Sequence, residues 1–97
     1  MELKHLRYFL AAVEEGSFQA AATRLNIAQP ALSRRVRDLE AALNCQLLVR
    51  GARGTMPTPA GLVFYRDAQR VMDDRAEVLH RVQQLVPHHR GYDSLTG

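Results

Sequence analysis

Cysteine and long apolar runs are almost absent from this sequence. Cys45 is the only cysteine, so no internal disulfide can form and a cysteine-rich zinc site is excluded. The first residues, Met-Glu-Leu-Lys, lack the apolar core of a signal peptide. No apolar run approaches the roughly 20 residues that span a bilayer. These absences predict a soluble, cytoplasmic protein that does not contact a membrane.

The sequence also lacks the sets of residues that enzymes and metal sites use. It contains no nucleophile with a neighbouring base, no glycine-rich phosphate loop and no cluster of metal ligands. His88 and His89 are adjacent, but only His80 lies near them and no acidic cluster joins them. Such a pair is more typical of a linker or a phosphate-facing segment than of a metal site. We therefore expect no enzymatic activity, no bound metal and no cofactor.

Positive charge is concentrated in the middle of the chain. Apolar residues make up 46% of the 97 positions, which is enough for the core of one small domain with an appendage. The net charge is only +3, but residues 24–53 alone carry six arginines against two acidic residues. Residues 1–23 carry a net charge of −1, and residues 54–97 are neutral. This distribution suits a face that binds a polyanion, and the alternative is an ordinary solvated surface.

Two short helices are predicted at the N-terminus. An apolar stripe at helical spacing indicates the first one, and Gly16 is suited to end it. Ser17 is a suitable N-cap for the second helix, and Asn26 suits the left-handed residue after its end. The stripes consist of Leu3, Leu6, Phe9, Leu10 and Val13 in the first helix and of Phe18, Ala21, Ala22 and Leu25 in the second. We expect both stripes to lie in one core.

A third helix is predicted to begin near Gln29, because Pro30 fits a first helical turn, where no N–H donor is needed. Its apolar residues recur at helical spacing, and arginines lie on the opposite side. The apolar residues are Leu32, Val36, Leu39 and Leu43, and Pro30, Arg34, Arg37 and Ala41 lie opposite them. A short helix, a tight turn and a second helix with one buried stripe indicate a helix-turn-helix, which reads the major groove of DNA.

The first turn of the third helix carries side chains that can contact bases. Gln29 can pair with adenine and Arg34 with guanine, while Ser33 can reach a base or a phosphate. The free N–H groups at the helix start suit a phosphate oxygen. The alternative is a solvated face, in which Arg34 pairs with Asp38 and Arg35 points away from the groove.

A hairpin, or wing, is predicted after the third helix. Residues 46–50 and 55–57 form its strands, and Gly51-Ala52-Arg53-Gly54 forms its turn. Arg50 lies at the base of this wing, and Arg53 lies at its tip, where it can enter a minor groove or contact a phosphate. The alternative for Arg53 is a solvent-exposed turn residue.

A long helix closes the predicted fold. Thr58 is a suitable N-cap and Pro59 a suitable first residue, and the helical pattern continues to about Val86, before Pro87. A wide apolar stripe on such a helix needs a partner, and a second copy of the chain is the simplest one. The predicted dimer interface comprises Tyr65, Ala68, Met72, Leu79, Val82 and Val86. The alternative folds this helix back onto its own domain.

In this order the motifs resemble the N-terminal domain and linker helix of LysR-type bacterial transcriptional regulators, over about residues 1–87. The resemblance is carried by Leu6-Arg7-Tyr8-Phe9, Gly16-Ser17-Phe18, Ala21-Ala22, Leu25, Gln29-Pro30-Ala31-Leu32-Ser33-Arg34, Leu39-Glu40, Leu47, Arg50, Arg53 and Thr58-Pro59-Ala60-Gly61. It implies a winged helix-turn-helix that dimerises through antiparallel linker helices. For the full-length protein it implies tetramers on interrupted inverted repeats near promoters. It also implies a C-terminal domain, similar to a periplasmic binding protein, that senses a small-molecule inducer.

The resemblance also implies which residues contact DNA. Together with the pattern of the third helix it gives the predicted set Gln29, Pro30, Ala31, Ser33, Arg34, Arg37, Arg50 and Arg53. Of these, Arg50 can either contact DNA or stabilise the fold. Two departures from the family pattern are Ala28, where a capping Ser is common, and Asn44, where Gly is usual. Leu48, the opening Met-Glu-Leu and residues 27–30 are similar to the subgroup that controls aromatic-compound catabolism.

These observations predict a mainly α chain in three parts. Residues 1–58 form a winged helix-turn-helix, residues 59–87 a linker helix for dimerisation, and residues 88–97 a hinge toward an effector-sensing domain outside this sequence. The predicted function is sequence-specific binding of double-stranded DNA, as a dimer on an inverted-repeat promoter site. The alternative is a winged-helix module for architecture or protein interaction, without sequence specificity.

Overall fold

The structure, a computed structural model, describes residues 2–85 and contains four helices and one antiparallel hairpin in that part of the chain. In chain order the elements are α1 (Leu3–Glu15), α2 (Phe18–Leu25), α3 (Gln29–Leu43), β1 (Leu48–Gly51), β2 (Gly54–Pro57) and α4 (Pro59–Leu85). The mainly α, winged helix-turn-helix architecture expected from the sequence is confirmed. The predicted positions Val86, Pro87 and 88–97 lie outside the described residues.

Single residues determine where the first three helices end. Gly16 follows α1 with a φ of 68°, and Asn26 and Asn44 follow α2 and α3 with φ of 57° and 51°. Glycine and asparagine adopt such left-handed values more readily than other residues. Ser17 caps the start of α2, because its side-chain oxygen accepts a hydrogen bond from the Ala20 amide at 3.1 Å. The ends at Gly16, Ser17 and Asn26 agree with the prediction from local sequence.

The core lies where α1, α2 and α3 meet. Leu32, Val36 and Leu39 of α3 are all exposed by 2% or less, which confirms the predicted stripe. Ala21 and Ala22 of α2 are buried as well, and their small side chains allow neighbouring helices to approach closely. Since burial of one large apolar side chain contributes roughly 1.5–3 kcal/mol, this stripe holds α3 firmly in the domain.

The wing begins two residues later than predicted, at Leu48. Its strands pair in antiparallel register along their whole length. Just before β1 the chain is held by a side chain and not by strand pairing. The Glu40 carboxylate accepts hydrogen bonds from the amides of Leu47 and Leu48, at 2.7 and 3.1 Å. These amides are therefore satisfied by α3, and the carboxylate fixes the start of the wing relative to that helix.

The wing also docks on the turn between α1 and α2. The Thr55 amide donates to the Gly16 carbonyl oxygen at 2.9 Å. Gly54 has a φ of +116°, and a Cβ atom there would lie 2.5 Å from that same oxygen. Only glycine fits this combination of positive φ and close approach. These backbone contacts therefore hold the turn end of the wing against the turn between α1 and α2.

Helix α4 is anchored at its first turn. The Thr58 hydroxyl accepts a hydrogen bond from the Gly61 amide at 2.9 Å and donates one to the Gln46 carbonyl at 2.7 Å. A Cβ atom on Gly61 would lie 2.0 Å from the Leu47 carbonyl oxygen, so the helix touches this loop as closely as only glycine allows. Thr58 thus caps α4, as predicted, and ties it to the loop before the wing.

The predicted dimer stripe of α4 is divided between its own domain and solvent. Ala68 is only 3% exposed within the single chain, and Phe64 packs edge-on against Phe9 with ring centroids 5.3 Å apart. Tyr65 is half-buried and donates its hydroxyl to Glu14. The domain itself therefore covers Ala68 and binds the Tyr65 hydroxyl. Their place in a dimer interface stays a prediction. A helical stripe alone does not show whether its own domain or a second chain covers a residue.

Beyond residue 70, α4 projects away from the domain. Met72 is half-buried, whereas Leu79 and Val82 are exposed and Leu85 is 81% exposed. A helix of 27 residues is roughly 40 Å long, and the described chain measures 54 Å along its longest axis. Within residues 2–85, the alternative that folds all of this helix back onto its own domain is therefore wrong.

Candidate nucleic-acid interface

The N-terminal half of α3 presents its polar face to solvent. Gln29, Pro30, Ala31 and Arg34 are all exposed, and so is Arg37, almost one turn after Arg34. All but Gln29 border one open depression on the surface. The apolar stripe on the other side of α3 is buried. Five of the eight residues predicted to contact DNA therefore lie together on one accessible helix face.

The arginines of this face carry charge that the described chain leaves unpaired. Among residues 2–85, no ion pair involves Arg34, Arg35 or Arg37. The alternative in which Arg34 pairs with Asp38 is therefore not realised. Free guanidinium groups on a rigid helix create a positive potential, and each can form two parallel hydrogen bonds to a phosphate or a guanine.

The start of α3 offers fewer free amides than the sequence suggested. Ala28 occupies the N-cap and provides no side-chain cap. Pro30 has no N–H group, and the Ala31 amide donates to the Ala28 carbonyl at 3.0 Å. In the described chain the Gln29 amide is the one donor of this first turn without a backbone partner. A phosphate at this helix end would therefore meet a single amide and the neighbouring side chains.

Ser33 and Arg50 contact each other, although both were predicted to face DNA. The Arg50 guanidinium donates a hydrogen bond to the Ser33 hydroxyl and lies 3.9 Å from the centre of the Phe18 ring. Ser33 is only 7% exposed, because it lies beside the buried stripe and Arg50 covers it from the wing. This corrects the expectation of an open Ser33 hydroxyl. Arg50 itself stays exposed, and it joins the wing to α2 and α3 through a stacked, hydrogen-bonded contact.

A groove runs between the starts of α2 and α3 and the wing. It is lined by Ser17, Phe18, Gln19, Gln29, Arg50, Gly51, Gly54 and Thr55. The structure thus brings Gln29 of the helix close to Arg50 of the wing, as the winged arrangement requires. Arg53 lies at the exposed tip of the wing, and no ion pair in the described part of the chain involves it.

Two residues that shape this face were not predicted from the sequence. Phe18 was assigned only to the core, yet its ring also supports Arg50. The family resemblance includes Glu40 without a role for its side chain, yet its carboxylate holds the chain that enters the wing. Phe18 and Arg50 lie 32 positions apart, and no local spacing pattern reports such a contact. For Glu40 the only available signal was its acidic type near the end of a basic helix.

A polar cluster connects α1, α2 and α4. The Tyr65 hydroxyl donates to Glu14 Oε2 at 3.0 Å, while Glu14 Oε1 lies 2.8 Å from the Arg24 guanidinium. Arg24 also pairs with Glu15 at 3.3 Å. Burial raises the pKa of the Tyr65 hydroxyl, and the bond to Glu14 raises it further. The hydrogen bond to Glu14 likewise raises the pKa of Arg24.

Within residues 2–85 no group of three or more histidine, cysteine, aspartate or glutamate residues could hold a metal ion. In the same part of the chain, no helix combines the length and the apolar character that crossing a membrane requires.

The sequence matches the family model described as bacterial regulatory helix-turn-helix protein, lysR family, over residues 3–62. The chain belongs to the LysR family. Among curated proteins it is 46% identical over 85 residues to the transcriptional regulator BenM of Acinetobacter baylyi, which covers 88% of this chain and 28% of BenM. It is 49% identical over 73 residues to the regulator TfdS of Cupriavidus pinatubonensis, covering 75% of this chain and 25% of TfdS. The chain thus spans about a quarter of the length of these relatives.

Solved structures of the family agree with the fold. The BenM DNA-binding domain in complex with catB site 1 DNA matches with a TM-score of 0.87 and 46% identity, over 92% of this chain and 100% of that one. The CbnR DNA-binding domain in complex with DNA matches with a TM-score of 0.81 and 39% identity, over 87% and 97% of the two chains. Full-length BenM matches with a TM-score of 0.81 and 47% identity, over 86% of this chain and 27% of BenM. The winged helix-turn-helix with its long helix is therefore the LysR-family arrangement.

Proposed function

We propose that this chain is the DNA-binding part of a transcriptional regulator that binds a specific sequence of double-stranded DNA. The observation that carries the proposal is the exposed face of α3, where Gln29, Arg34 and Arg37 stand free on a helix whose other side is buried. The solved complexes of related domains contain DNA, which supports the same partner class here. A helix fixed by its apolar stripe can place these side chains at defined positions in a major groove.

The proposed contacts divide into base reading and phosphate binding. Gln29 pairs with adenine and Arg34 with guanine, since each side chain can make two hydrogen bonds to that base. Arg37 neutralises a phosphate, and the free Gln29 amide at the helix start can donate a hydrogen bond to one. Such contacts give an affinity that is sensitive to salt but independent of sequence. Arg53 at the wing tip enters a minor groove or binds the backbone.

Ser33 and Arg50 have a different proposed role. Because Arg50 stacks on Phe18 and donates to Ser33, both residues shape the surface between wing and helix. Arg50 has further N–H groups with which to contact a phosphate from its exposed side. Direct contact between Ser33 and DNA would require Arg50 to move.

We further propose that the chain dimerises through the projecting part of α4. Leu79, Val82 and Leu85 are exposed there, and an apolar strip of this kind is stabilised when a second copy covers it. With Met72 and the predicted Val86 these residues form the proposed interface. The pairing would set the distance between two recognition helices and thus the spacing of two half-sites. In this proposal, residues 1–58 bind DNA and residues 59–87 form the dimer.

The remaining parts of the proposal concern the whole protein. Since this chain corresponds to 28% of BenM, we propose that residues 88–97 lead to a C-terminal domain that senses a small-molecule inducer. The full-length protein would form a tetramer and act in the bacterial cytoplasm at the nucleoid, as a regulator without enzymatic activity.

Selection of bound duplexes from a random DNA pool, followed by sequencing, tests the proposal. We expect a symmetric motif with two short half-sites. Enrichment of a single half-site would support base reading by α3 and contradict the dimer. Binding without any enriched motif, lost at moderate salt, would contradict sequence-specific recognition and favour an architectural module.

A further inference from the structure

Helix α4 is attached to its domain by two kinds of contact. The first is apolar: Phe64 packs on Phe9, and Ala68 is buried. Apolar burial is strong but non-directional, so such contacts hold a helix in place without determining its tilt to within a few degrees. At the start of the helix, the hydrogen bonds of Thr58 and the close approach of Gly61 to the Leu47 carbonyl hold one point, which provides a pivot.

The second kind of contact is directional. Glu14 uses both carboxylate oxygens: Oε2 accepts the hydrogen bond from Tyr65 of α4 at 3.0 Å, and Oε1 pairs with Arg24 of α2 at 2.8 Å. Arg24 is also held by Glu15, the neighbour of Glu14 on α1. The carboxylate is thus fixed from two sides. Because hydrogen bonds depend on angle as well as distance, the Tyr65 hydroxyl fixes α4 relative to α1 and α2.

A small change of tilt at Tyr65 has a large effect at the far end of α4. The helix continues for 20 residues from Tyr65 to Leu85, which corresponds to roughly 30 Å. A tilt of about 6° therefore moves that end by about 3 Å, close to the rise of one base pair. Any contact that holds this angle also determines where a second domain lies along the DNA.

From these contacts we infer that Glu14 and Tyr65 are positioning residues that determine which half-site spacing the dimer accepts. The inference rests on the proposed function, because it requires DNA half-sites and a dimer formed through α4. Neither residue belongs to the proposed DNA-contacting face, so their effect on binding is expected only when two half-sites are bound together.

The test compares wild type with Tyr65→Phe, which removes one hydroxyl and keeps the ring against the core. Affinity is measured on duplexes with the selected spacing, on duplexes lengthened or shortened by one and two base pairs, and on a duplex with one half-site. We expect unchanged affinity for the single half-site. The preference for the selected spacing should fall about three- to tenfold, the range of a partly exposed hydrogen bond to a charged group.

Glu14→Ala should reduce the preference similarly, and Tyr65→Phe should have no additional effect in the Glu14→Ala background. Glu15→Gln is the matched control: it weakens one Arg24 pair but leaves the Tyr65–Glu14 bond intact, and it should keep the wild-type preference. If Tyr65→Phe keeps the preference, or lowers affinity equally on every duplex including the half-site, the inference is overturned. If wild type itself shows no spacing preference, the proposed dimer on two half-sites falls as well.

Discussion

Helices α3 and α4 both carry an apolar stripe and several arginines, yet they leave opposite surfaces free. The stripe of α3 is buried, and its three arginines have no ion pair within residues 2–85. Beyond the half-buried Met72 the stripe of α4 is exposed, at Leu79 and Val82. There Arg81 pairs with Glu77 at 2.7 Å, and just before it Arg70 pairs with Asp67 at 3.1 Å. One helix retains charge for a partner, and the other retains apolar surface.

The two free surfaces indicate which kind of partner each helix fits. Free arginines on a fixed helix suit a polyanion, whereas an apolar strip on a helix with four arginines and four acidic residues suits a second apolar surface. The beginnings of the two helices differ as well. Thr58 caps α4 with a side-chain hydrogen bond, while Ala28 leaves α3 without one. The same helical pattern in sequence thus serves two different tasks.

The largest expected effect is on assembly. Met72→Glu combined with Leu79→Glu places two charges in the proposed apolar interface, where an unpaired charge is costly, so sedimentation should show monomers. Gln84→Glu adds one charge on the far side of α4 and should leave a dimer. An unchanged dimer mass for the double variant would contradict the role given to the exposed stripe.

The buried stripe of α3 is expected to dominate the stability of the domain. Leu39 is 1% exposed, so Leu39→Ala should lower the free energy of unfolding by about 2–5 kcal/mol through lost burial and a cavity. Urea unfolding measures this value. Val63 is 61% exposed on α4, and Val63→Ala should stay within about 0.5 kcal/mol of wild type. Similar losses for both variants would contradict the contrast between a buried and an exposed helix face.

A smaller effect is expected at the helix starts. Ala28→Ser supplies the missing cap of α3 and should raise the free energy of unfolding by about 1 kcal/mol, while Thr58→Ala should lower it by about 1–2 kcal/mol. Thermal or urea unfolding of both variants gives the comparison. If Ala28→Ser is neutral while Thr58→Ala is not, the start of α3 is held by contacts other than its cap.

Much of the fold could be predicted from local sequence. Gly16, Asn26 and Asn44 end their helices because glycine and asparagine readily adopt the left-handed backbone conformation that follows a helix. Ser17 and Thr58 cap the starts of α2 and α4 because each side chain reaches the amide three residues later. The apolar stripe of α3 followed from period alone. Such features depend on neighbours within one or two helical turns.

The contacts that shape the candidate site could not be predicted in this way. Arg50 stacking on Phe18, and the Tyr65 bond to Glu14, join residues that are far apart in sequence. Ala68, predicted for the dimer interface, is buried within its own chain, and an apolar stripe carries no information about which surface covers a residue. Contacts between residues far apart in sequence depend on how whole helices and strands pack, and the periodicity of one element does not predict them.

Base-specific binding by Arg34 is the most direct test of the account. The affinities of wild type and Arg34→Ala are measured on the selected duplex and on each of its single-base-pair variants, at one fixed salt concentration. We expect Arg34→Ala to cost about 1–3 kcal/mol for each half-site of the selected duplex and to lose discrimination at one base position in each half-site. An equal loss on every duplex, with discrimination intact, would show that Arg34 binds phosphate and would contradict base reading by α3.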